Sequence, residues 1–105
     1  MTKGIWLSYD LGVDGDYDNL YYWLDKNTSK ECGDSVAYFK YKYKSDMLKE
    51  LSEDIKNQVK IRTKDRIYIV YIEGKSAKGK FLFGKRKRAP WEGYSEFDEE
   101  VEDES

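Results

Sequence analysis

The run Arg66-Ile-Tyr-Ile-Val-Tyr-Ile-Glu73 constrains this chain more than any other stretch. Alternate residues of a strand point to opposite sides, and here both sides are β-branched or aromatic. Such a run reads as a central strand, so the rest of the sequence has to supply strands to flank it and helices to cover it.

The other apolar segments are short and separated by turn residues. Gly4 to Leu11 reads as a buried strand that ends near Asp10, followed by a Gly/Asp-rich exit over residues 12 to 16. Asp16 or Asp18 then caps a helix carrying Leu20, Trp23 and Leu24 on one side, which stops near Asn27. Residues 28 to 34 read as a loop. From Ser35 to Tyr43 the alternation is strict, with Ala37, Phe39, Tyr41 and Tyr43 on one side and Val36, Tyr38, Lys40 and Lys42 on the other, so this strand has one partly basic face. Ser45 is the expected cap of a second helix with the stripe Leu48, Leu51, Ile55 and Val59. Past the central run, a turn around Gly74 to Gly79 introduces Lys80 to Phe83 as a hairpin partner.

The order strand, helix, strand, helix, strand, strand predicts an α+β fold. Its expected form is a ferredoxin-like sandwich, with two helices on one face of a sheet of about four mostly antiparallel strands. A chain of 105 residues can fill one core, so residues 1–95 are expected to form a single domain and residues 96–105 a disordered acidic tail. Cys32 is the only cysteine, which rules out an internal disulfide, and no apolar stretch approaches the roughly 20 residues that span a bilayer. The expected setting is cytoplasmic, with no membrane.

Charge is distributed unevenly. Glu96, Asp98, Glu99, Glu100, Glu102, Asp103 and Glu104 stand without a base among them, so the net charge of -2 divides into +5 for residues 1–95 and -7 for the rest. The body suits an anionic partner. The tail can solvate the protein, compete for the basic surface or imitate nucleic acid.

Histidine is absent, which excludes histidine-based triads and histidine metal sites. Two constellations remain. Asp10, Asp14, Asp16 and Asp18 lie at a strand end and its loop, where carboxylates can hold Mg²⁺ or Mn²⁺ beside a phosphate, or can instead form turns and cap helices. Lys78, Lys80, Lys85, Arg86, Lys87 and Arg88 are interleaved with Phe81, Phe83 and Trp91. Cations for phosphates and rings for bases make a nucleic-acid surface, whereas lysines on a solvated hairpin also protect a sheet edge.

Leu7-Ser-Tyr-Asp-Leu11, the helix over Asn19 to Lys26, Ser35-Val-Ala-Tyr-Phe39, the second helix and Lys64-Asp-Arg-Ile-Tyr-Ile69 together resemble one family over about residues 5 to 73. It is the small CRISPR-associated nuclease of the spacer-acquisition complex, with its ribonuclease cousins of the virulence-associated protein D type. The resemblance implies a homodimer in which Asp10 is the catalytic, metal-binding residue facing its symmetry mate across a phosphodiester. Unlike the family's first helix, Asp16 to Asp25 contains no base, and no short strand is legible between Tyr43 and Asp46. The expectation is thus a nucleic-acid-associated protein, binding RNA or DNA, of a defence, toxin-antitoxin or mobile-element type. The alternative is a non-catalytic protein-interaction module, a small inhibitor or adaptor for another protein.

Overall fold

The computed structural model describes residues 1–96 and is an α+β fold of two helices and one five-stranded sheet. The strands are β1 (Thr2–Asp10), β2 (Lys30–Glu31), β3 (Val36–Lys42), β4 (Arg66–Glu73) and β5 (Ser76–Phe83), and the helices are α1 (Tyr17–Lys26) and α2 (Met47–Gln58). Spatial order is β2-β3-β1-β4-β5 and every neighbouring pair is antiparallel. The run at residues 66–73 is internal, as its two apolar faces require, although β1 is the middle strand. Each helix joins two parallel strands that have a third between them: α1 lies between β1 and β2, and α2 between β3 and β4.

The sheet has five strands where four were expected. The additional one is β2, inside the stretch read as a loop. It is two exposed polar residues long, and only its pairing to Tyr38 and Ala37 makes it a strand. The hairpin also starts earlier than expected. Gly74, at φ +62, and Lys75 form a two-residue turn, and Ser76 already pairs with Glu73. A glycine at the first turn position is what a type II′ hairpin needs.

One side of the sheet forms the core. Ile5 and Leu7 of β1, Ala37, Phe39 and Tyr41 of β3, and Ile67, Ile69 and Tyr71 of β4 are buried against Leu20, Trp23 and Leu24 of α1 and Met47, Leu51 and Ile55 of α2. Trp23 meets Phe39 edge-on with centroids 5.2 Å apart, the arrangement that aromatic quadrupoles favour. The expected stripe of α2 is present, with Val59 buried just beyond its last turn. Its cap, however, is Asp46 in place of Ser45: the Asp46 side chain accepts from Lys49 N, and Glu50 accepts from the backbone N–H groups of Lys44, Ser45 and Asp46. Those donors hold the Glu50 carboxyl below its usual range, the Ser45 and Lys44 amides being the main causes.

Candidate nucleic-acid interface

Because side chains alternate, the same register that buries Ile5, Leu7, Ile67 and Ile69 turns Trp6, Ser8, Asp10, Arg66, Tyr68, Val70 and Ile72 to the opposite side. Neither helix covers that side. Pairing places Tyr38 beside Trp6, Lys40 beside Gly4, Lys42 beside Thr2, Lys30 beside Tyr38 and Phe81 beside Tyr68, so all of them share it. Trp6 keeps 39% of its surface in solvent and Ile72 48%. An exposed apolar face of this kind on a small domain marks a contact surface.

Two aromatic pairs dominate the face. Trp6 and Tyr38 have ring centroids 4.8 Å apart, and Tyr68 and Phe81 4.7 Å apart. Tyr38 lies down over Gly4 and Tyr68 over Gly79; a Cβ at either glycine would collide with the hydroxyl end of the ring. Both glycines therefore let a tyrosine cross the neighbouring strand. From strand spacing and rise, the two pairs sit about 12 Å apart.

Cations flank the rings. Lys30, Lys40 and Lys42 stand on the β2–β3 side. At the other end Arg66 and Arg86 line an open cavity of about 310 Å³ together with Ser8, Asp10, Tyr68 and Phe81. Arg86 lies over the Phe81 ring at 5.8 Å, and Arg66 Nη2 donates to Asp10 Oδ2 at 2.6 Å.

The backbone beneath Asp10 and Arg66 is tied down from below. Asp65 is the one buried charged residue among those described, and it accepts from Gly12 N at 3.2 Å and Arg62 N at 2.7 Å. It thereby fastens the exit of β1 to the start of β4, the two points from which Asp10 and Arg66 project. A buried carboxylate persists only with such donors.

The four loop aspartates do not converge. Asp10 pairs with Arg66, while Asp16 accepts from Lys60 N at 2.9 Å and from the Asn19 side chain. The Lys60 amide is the main cause that holds the Asp16 carboxyl below its usual range. Asp14 and Asp18 are exposed, and among the described residues no group of three or more Asp, Glu or Cys side chains is placed to hold a metal ion. A divalent ion on Asp10 would have to displace Arg66, and among the described residues no second carboxylate stands ready to share it.

The expected basic segment is divided. Lys78 pairs with Tyr71 and Lys80 with Ile69, which puts both on the helix side of the edge strand, away from the exposed rings. Of the others, Arg86 alone lines the cavity. Arg88 pairs with Glu92 at 3.1 Å, Lys85 and Lys87 are exposed, and Trp91 is exposed beyond the sheet. Trp6, Tyr38, Tyr68 and Arg66 were not anticipated as site residues. Their signal was present in the two-faced run at residues 66–73 and in the basic side of β3. Cys32 is exposed in the loop before β3.

The fold and site together define an α+β protein with one aromatic and basic sheet face that no helix covers among the described residues. Comparison with family models, curated proteins and solved structures found no match to this chain. No helix among the described residues is long and apolar enough to cross a membrane.

Proposed function

We propose that this protein binds single-stranded RNA or DNA on its uncovered sheet face, with Trp6, Tyr38, Tyr68 and Phe81 stacking on bases and Lys30, Lys40, Lys42, Arg66 and Arg86 meeting phosphates. The observation that carries this reading is the coincidence of two exposed aromatic pairs with flanking cations on one surface. Stacking rings beside a basic track are the two elements of a single-strand site, whereas a duplex hides its bases from such a face. The ferredoxin-like reading is supported by the strand order β2-β3-β1-β4 with its two split strand-helix-strand units, β5 being an addition.

The nuclease reading rests on the resemblance around Asp10 and on a second copy supplying the other carboxylate and, with it, a Mg²⁺ or Mn²⁺ ion. Engagement of Asp10 by Arg66 favours binding over cleavage by a single copy. The lone exposed cysteine fits a reducing, cytoplasmic setting.

Titration of a labelled single-stranded ten-nucleotide RNA and its DNA counterpart tests the proposal. Each contacted phosphate lowers the slope of log affinity against log salt by about 0.7 for single strands, so five cations set a limit near -3.5. Trp6→Ala removes one stacking ring and should weaken binding about 5- to 150-fold, with the far-UV spectrum unchanged. Salt-independent binding, or a Trp6→Ala protein that binds as well as wild type, would refute the platform. Self-association blocked by Trp6→Ala in place of oligonucleotide binding would reassign the face to a second copy.

A further inference from the structure

The geometry points to the cavity between β1, β4 and β5 as a station for the terminal phosphomonoester of a single strand, with Asp10 as a resident counter-ion that the phosphate displaces. This deepens the platform reading and rests on it. Two guanidinium groups, Arg66 and Arg86, face one cavity together with the Ser8 hydroxyl, and the Tyr68 and Phe81 rings form its wall. Their charge is +2, and Asp10 offsets one unit of it through the pair with Arg66.

A phosphodiester inside a strand brings one negative charge, no more than Asp10 already supplies. A terminal monoester brings about -1.5 to -2 and three acceptor oxygens, which suit two planar guanidinium forks. The station therefore selects the end of a strand over its middle. Asp10 is suited to leave, since its side chain is 56% exposed and among the described residues its carboxylate has no backbone donor. Arg66 cannot leave with it. It is the first residue of β4, next to the Asp65 anchor, and its side chain is 26% exposed. Arg86 is held over Phe81, so a terminal base stacked on the Tyr68–Phe81 pair would bring its own phosphate between the two arginines.

The test compares ten-nucleotide oligouridylates that carry a 5′-phosphate, a 3′-phosphate or hydroxyls at both ends, against the wild-type full chain, Asp10→Asn and Arg86→Gln. Both substituted side chains lie on the surface. One phosphorylated end should bind several-fold tighter than the hydroxyl-ended strand, and which end does so gives the polarity of the bound strand. Arg86→Gln should erase that preference, weakening the phosphorylated strand several-fold more than the hydroxyl-ended strand, which loses only one of its five phosphate contacts. Asp10→Asn should raise affinity for the phosphorylated strand about three-fold, the scale of an exposed ion pair that no longer competes. Equal affinity for all three strands, or an Asp10→Asn protein that binds the phosphorylated strand more weakly, overturns the station while the platform stands. Failure of every strand to bind removes both.

Discussion

Asp65 is the residue through which the fold most directly sets the site, and its replacement has a calculable consequence. Its carboxylate takes hydrogen bonds from two backbone amides, Gly12 N and Arg62 N, at a position 2% exposed. Hydrogen bonds to a charged group contribute about 1.5 to 3 kcal/mol each, and a buried donor left without a partner adds its desolvation cost. Asp65→Asn keeps one carbonyl oxygen for one amide but turns an NH₂ group towards the other, so about 2 to 3 kcal/mol should be lost. Asp65→Ala leaves both amides unmet and should cost about 3 to 5 kcal/mol. In a domain of this size 1 kcal/mol corresponds to roughly 4 to 8 °C, so the Asn variant should melt about 10 to 20 °C lower. Thermal and urea unfolding followed by circular dichroism measure this, and amide exchange at Gly12 and Arg62 localises it. A loss below about 0.5 kcal/mol for Asp65→Asn, inside the range of ordinary surface changes, would refute the anchoring role.

Two further outcomes are expected. Truncation after Tyr94 removes seven carboxylates and moves the net charge from -2 to +5, so the shortened chain should bind the single-stranded oligonucleotide more tightly at low salt, with the gain fading as salt screens it; equal affinity in parallel titrations would show that the acidic residues do not compete for the face. The acidic tail beyond Glu96 lies outside the described residues. Acid should also destabilise the fold in a defined window. Asp16 and Glu50 have folded values depressed from 3.8 and 4.5 by backbone donors, so their contribution is present above those ordinary values and is lost as pH falls below them through the folded ones. Melting temperature measured from pH 6 to pH 3 should fall below about pH 4.5, and Asp16→Asn with Glu50→Gln should flatten that fall.

Much of the architecture could be read from residue order because core burial and alternation agree. Ala37, Phe39 and Tyr41, or Leu51 and Ile55, could hardly face anywhere but inward. What escaped was held by pairing or by charge geometry, neither of which leaves a periodic trace. β2 is two exposed polar residues that become a strand only beside Tyr38 and Ala37, and Asp46 caps α2 one residue past the serine that composition favoured. The site escaped for a different reason. A run that is apolar on both sides is the signature of a strand covered twice, and residues 66–73 have it, yet only Ile67, Ile69 and Tyr71 are covered by helices. Tyr68, Val70 and Ile72 have no covering layer among the described residues. Leaving such side chains in water costs about 25 cal/mol for each Å² that burial would remove, a cost the fold carries unless something else lies on the face. The cations placed around those rings, Lys30, Lys40 and Lys42 at one side and Arg66 and Arg86 at the other, are what the proposed single-stranded ligand would pair with through its phosphates while its bases stack, whereas a second apolar sheet would leave them without partners.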